Sequence, residues 1–201
     1  MKKLIFCVIV FLFTQAGCRK ACEHKLLPDS IKPFLFKEGS HWVFSNPLSG
    51  VNDTFSIVKS ASEITEGNTP VRCSGDATTE IFDMTVVNRL DTFRTSAHGY
   101  PYIHLSKSTN SIQGNIFDAS VSSGQCSTYD NRLCLTNVSS LTVGANTFNE
   151  VYGITTTMVD GSGNELFLCD MFWVKNIGVV KIILHDTHSS TFNLLSWSVV
   201  Q

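Results

Sequence analysis

The residues that most invite a chemical reading are two imidazoles three apart, in His185-Asp186-Thr187-His188. On a helix they would share one face and could hold a metal, but the segment reads as a turn and no third ligand can be named. Asp160-Gly161-Ser162-Gly163-Asn164 imitates the start of a calcium loop. Glu165 stands where that loop needs glycine, and Met171 where it needs a bidentate glutamate, so a hairpin turn is the better reading. No Gly-x-Ser-x-Gly elbow occurs. Ser56-Ile57-Val58-Lys59 matches Ser-x-x-Lys, yet inside a strand the two side chains point to opposite faces. Phosphate-binding glycine patterns are absent, and no carboxylate pair stands out for glycosidic chemistry. The expectation is a protein with no catalytic residues, no metal and no cofactor, and therefore not an enzyme.

One pattern points to recognition. His98, Tyr100, Tyr102 and His104 alternate, so in a strand all four would share a face with Ile103 and Leu105 behind them. Pro101 confines such a strand to a sheet edge. The functional reading is an aromatic platform for a glycan or peptide; the plain one is the solvent side of an edge strand.

The elements that must position these residues have a period of two. Asp53–Ser60 puts Phe55 and Ile57 on one face, and Thr79–Asn88 puts Phe82, Met84 and Val86 together. Phe148–Val159, Leu166–Val174, Val179–Leu184 and Phe192–Val200 follow the same habit, with Leu166–Val174 apolar on both faces. Turn signals at Asn46–Gly50, Glu66–Asn68, Asp160–Asn164 and Asn176–Gly178 separate the runs. This cadence predicts an all-β fold, a single antiparallel domain of about nine or ten strands. A sandwich, a barrel and a strongly curved sheet all satisfy it. The 201 residues suit one domain.

Charge excludes some partners. The formal net charge is −2, charged residues are 16% and hydrophobic ones 43%. A folded chain with this balance is neither a nucleic-acid binder nor a polybasic membrane ligand.

The N-terminus carries its own message. Lys2 and Lys3 precede an apolar run from Leu4 to Phe13, too short to span a bilayer and the right length for the core of an export signal. Thr14-Gln15-Ala16-Gly17-Cys18 follows. This segment resembles the lipobox of bacterial lipoproteins, with Gln15 where leucine is usual. The resemblance implies cleavage between Gly17 and Cys18 and a diacylglycerol (with further acyl groups such as palmitate) on Cys18. Two or three chains there would hold the protein on a membrane, since each buried methylene contributes about 0.8 kcal/mol. Arg19 stands where an aspartate would retain a lipoprotein in the inner membrane, so the resemblance favours the outer membrane and its periplasmic face. A simple secretory leader cut after Ala16 is the alternative. The expected organisation is residues 1–17 as signal peptide, 18–32 as lipidated cysteine and flexible tether, and 33–201 as the β-domain.

Two further patches resemble a group of uncharacterised bacterial envelope lipoproteins. One is Phe36-Lys37-Glu38-Gly39-Ser40-His41-Trp42-Val43-Phe44 with Ser49-Gly50 and Asp53-Thr54 after it. The other is Phe172-Trp173-Val174-Lys175-Asn176-Ile177-Gly178-Val179-Val180-Lys181. The resemblance implies an envelope β-domain and brings no activity. Read physically, the second patch is a hairpin whose tight reversal Gly178 permits.

With Cys7 lost and Cys18 acylated, Cys22, Cys73, Cys126, Cys134 and Cys169 remain. Cys126 and Cys134 bracket a short loop and are the expected disulfide; no Cys-x-x-Cys exists for redox work. The leading expectation is a membrane-anchored, non-enzymatic binding or structural lipoprotein whose protein, glycan or lipid partner is unknown. The alternative is a carrier that holds a lipid or other apolar ligand in a curved sheet.

Overall fold

The structure is a computed structural model. It describes residues 20–45, 50, 52–66, 73–74, 77–88, 92–100, 102–107, 112–127, 133–159, 162, 164–185 and 190–201. The signal-peptide and Cys18 expectations lie outside the described residues.

Alternating polar and apolar residues fold into strands throughout. The N-terminal part holds β1 (Lys20–Ala21), β2 (His24–Lys25), the 3-10 turn Lys32–Phe34, β3 (His41–Ser45), β4 (Asn52–Glu66) and β5 (Cys73–Ser74). Next come β6 (Thr78–Val87), β7 (Thr92–His98), β8 (Tyr102–Lys107), β9 (Ile112–Asp118) and β10 (Gln125–Cys126). The C-terminal part is β11 (Cys134–Val143), β12 (Asn146–Val159), β13 (Glu165–Val174), β14 (Gly178–Leu184) and β15 (Thr191–Ser198). The described residues contain no α-helix.

One sheet of 13 strands runs β10-β11-β12-β13-β14-β15-β3-β4-β6-β7-β8-β9, with β2 added in parallel beside β6. The other ladders in this sheet are antiparallel. It is not closed by a continuous ladder, but it curls so far that β9 meets β12 at one pair, Gln113 with Val159. Thr156 Oγ1 fastens that seam by donating to the Asn115 carbonyl at 3.0 Å. β1 and β5 form a separate parallel pair. The strand count exceeds the nine or ten expected. β2 and β10 are two residues each, too short for a period of two to register, and β7 and β8 divide a segment that read as one strand.

The chain before Pro33 departs from the expected tether. Leu27 and Ile31 are buried, and Cys22 is buried and disulfide-bonded. Leu27 N–H donates to Glu80 Oε2 at 2.9 Å, and β2 pairs with β6. The expectation rested on local polarity: His24 and Lys25 hid apolar anchors that need a sheet end to rest on. Leu27, Ile31, Phe34, Leu35 and Phe36 form an apolar plug. The Phe34 ring lies 4.2 Å from that of Phe117 and contacts Tyr152 and Trp173 edge-on. The Pro33 carbonyl accepts from the Asn176 N–H at 2.9 Å, which ties the plug to the β13–β14 turn.

Gly178 opens β14 with φ +97. A Cβ there would sit 3.1 Å from Trp42 Nε1 and 3.3 Å from the Phe36 ring, so both the turn and the crowding require glycine. The Trp42 indole N–H donates to the Ile177 carbonyl in the same corner. The fold thus joins both resembling patches at one end of the sheet.

Candidate functional site

The inward positions of the curled sheet do not fill its interior. They surround a cavity of about 500 Å³. Phe55 and Ile57 of β4, Met84 and Val86 of β6, Ile103 and Leu105 of β8, and Met171 and Trp173 of β13 face it at alternate positions. Phe34 and Phe36 of the plug, with Trp42, close it at the Gly178 corner. The cavity is partly open to solvent, and an apolar recess of this size is a feature of the fold and not a packing defect. Its volume falls in the range of small-molecule sites, ~300–1,000 Å³.

Polar groups in the wall are few. Asp53, at the start of β4, and Asn88, just past β6, lie near the strand ends away from the plug. Thr95 and Trp173 also line the cavity, and each is less than a tenth exposed. Thr95 Oγ1 and Trp173 Nε1 are shut away from solvent and make no hydrogen bond among the described residues. Trp42, in the same wall, does satisfy its indole N–H. Cys169 contributes a buried free thiol. Loss of hydration pushes its pKa up to about 12, with a smaller push from neighbouring Asp170. A thiol held protonated in this way is not a nucleophile at neutral pH.

The expected aromatic platform is not a single strand. His98 ends β7 and His104 lies in β8, with Gly99 and Tyr100 in the turn between. Tyr100 and Tyr102 do stack, 5.5 Å apart and nearly parallel. However, Lys25 lies 4.7 Å over the Tyr100 ring and donates to its hydroxyl at 2.8 Å. His98 contacts Ser96 Oγ at 2.9 Å, and His104 contacts Asn115 at 3.3 Å. The chain's own N-terminal segment thus occupies part of the platform. Nothing in the alternation of residues 98–104 marked the tight reversal at Gly99.

His188 lies outside the described residues. His185 Nε2 pairs with Asp170 Oδ2 at 2.7 Å, and Thr155 donates to the other oxygen at 2.6 Å. The described residues hold no group of three His, Cys, Asp or Glu able to bind a metal. Cys126 and Cys134 face each other across β10 and β11 and are joined as a disulfide. At the second patch, Lys175 extends 5.6 Å over the Tyr152 ring. A hydrogen bond and attraction from Tyr152 hold its pKa above the ordinary lysine value. Both features consolidate hairpins.

The sequence offered a ligand cavity only as the alternative reading and named no residues for its wall. Apolar residues on both faces of Leu166–Val174 allowed either a packed core or a lined space. Comparison with family models, with curated proteins and with solved structures found no match for this chain.

Proposed function

We propose that this protein is a membrane-anchored envelope lipoprotein that carries a lipid or other apolar ligand inside its curled sheet. The observation that carries the reading is the cavity of about 500 Å³ and its nearly all-apolar wall. A purely structural module has no need of an apolar recess this large, and contiguous accessible apolar surface of this kind marks a ligand groove or a partner surface. The carrier reading therefore takes precedence over the binding-module reading. Anchoring through Cys18, on the periplasmic face of an outer membrane, rests on the lipobox resemblance.

Two measurements test the two halves. Native mass spectrometry of the purified protein should reveal a co-purified apolar adduct, and repeated preparations with an empty cavity would remove the carrier reading. Fatty-acid labelling of wild type and Cys18→Ala should show loss of label and accumulation of precursor in the variant. Label retained on Cys18→Ala would remove the anchor.

A further inference from the structure

The carrier reading says nothing of how a ligand reaches the cavity, and the strand directions bear on that. The antiparallel strands run to and fro around the cavity, so their ends fall into two sets. One set holds the start of β6, the Gly99 turn between β7 and β8, and the turn at 175–177 between β13 and β14. The plug packs at this end, where Phe34, Phe36 and Trp42 meet the Gly178 corner. At the other end β3 gives way to β4, β6 to β7, β8 to β9, β12 to β13 and β14 to β15. Between the two ends the wall is made of hydrogen-bonded ladders, thinnest at the single β9–β12 pair.

The N-terminal segment joins the fold at the plugged end. β2 pairs with Thr78 and Thr79, which open β6, and Leu27 N–H donates to Glu80. Cys22 is buried and disulfide-bonded, so the chain is already fixed there. Cys18 stands four residues earlier in the sequence. A stretch of that length spans at most about 14 Å when fully extended. β6, which leads from the plugged end to the other, is 10 residues long. At ~3.3 Å per residue that is about 30 Å of strand. A tilt of roughly 40°, usual where sheets curl, still leaves roughly 23 Å of height. The height exceeds the reach. Acyl chains on Cys18 therefore hold the plugged end near the bilayer, and the opposite end cannot be turned down onto it.

Resting on the carrier reading and on its Cys18 anchor, we infer that the apolar ligand enters and leaves at the end of the sheet opposite the plug, facing away from the anchoring bilayer. The protein then exchanges its cargo on the aqueous side and does not draw it directly from the membrane beneath it.

The test uses the acylated full chain and single added cysteines at exposed positions. Asn52→Cys and Glu165→Cys mark the far end, at the first residues of β4 and β13; Leu26→Cys marks the plugged end. Orientation is read on vesicles of phosphatidylethanolamine and phosphatidylglycerol that contain a lipid with a nitroxide on its headgroup. A fluorophore on Leu26→Cys should lose most of its emission, and one on Glu165→Cys should keep it. Equal loss at both, greater loss at 165, or no loss at either on vesicle-bound protein would overturn the orientation. Protein that does not float with the vesicles removes the anchor itself, and the inference with it.

Entry is read from the uptake of phenylnaphthylamine, a neutral apolar dye, after a bulky maleimide polymer has been attached at each cysteine. Polymer at 52 or 165 should slow uptake about tenfold by blocking access, and polymer at 26 should leave it unchanged. Slowing at 26 alone would place the entrance at the plug, and unchanged uptake in all three would place it at the β9–β12 seam. Either result overturns the inference and leaves the carrier reading standing. If the unlabelled protein takes up no dye and no adduct co-purifies, the carrier reading falls as well.

Discussion

Replacing Phe34 by alanine tests whether the N-terminal plug belongs to the folded domain. Phe34 is 1% exposed, and its ring touches Phe117, Tyr152 and Trp173. A buried phenylalanine removes roughly 200 Å² from water. At ~25 cal/mol per Å² that is about 5 kcal/mol. Measured phenylalanine-to-alanine changes in cores cost ~3–5 kcal/mol, so about 4 is the working figure. With a urea slope of ~2.5 kcal/mol/M, the midpoint should move down by about 1.5 M without a change in slope. Leu26→Ala is the control, because Leu26 lies in the same segment but is 62% exposed. It should stay within ~0.5 kcal/mol of wild type. The assay is equilibrium urea unfolding followed by tryptophan fluorescence and by circular dichroism, which must coincide. A loss below ~1 kcal/mol for Phe34→Ala would refute the reasoning: the plug would then be only loosely docked on the sheet.

Three further outcomes are expected. The Cys169 thiol rises from 9.0 to about 12 on folding, so the folded chain keeps a proton that the unfolded chain releases. Its contribution is complete below about pH 9 and declines through about pH 12, by ~1.4 kcal/mol per pH unit and about 4 in all. The gap in unfolding free energy between wild type and Cys169→Ala should therefore shrink across that window, and a gap independent of pH would refute the assignment. Gly178→Ala combines a positive φ with contacts of 3.1 Å to Trp42 and 3.3 Å to Phe36, whereas Gly144, at φ +58, has open space around it. The first should cost ~2–4 kcal/mol and the second ~1–2 kcal/mol in thermal denaturation; equal losses would show that the Trp42 corner is not crowded. Cys126→Ser with Cys134→Ser opens a loop of sequence separation 8 and should cost ~2.5 kcal/mol in chemical denaturation under oxidising conditions. No loss would mean that the bond is absent in solution.

Much of the strand content was readable because it is local. Side chains two apart share a face whatever lies beyond them, so Phe55 with Ile57 and Met84 with Val86 were placed together from their spacing alone. The structure places all four in the cavity wall. The pairing of Cys126 with Cys134 was equally short-range. The fate of residues 22–32 was not, because Leu27 and Ile31 are buried only in the assembled core, where Leu27 N–H meets Glu80, 53 residues further along. The His98–His104 alternation misled for the opposite reason: a period of two cannot distinguish one strand from two strands joined at a tight turn.

Amino-acid order by itself determined the kind of element and, for β4 and β6, which side chains turn inward, since both depend on a few neighbouring residues and on solvent. Only the tertiary structure decided that the inward side chains line an open-sided space instead of filling it, and that Thr95 and Trp173 have no hydrogen-bond partner among the described residues. The volume of such a recess is the difference between the span of the curled sheet and the summed bulk of residues from many separate segments. No local pattern carries that difference; it exists only once the strands have curled around it.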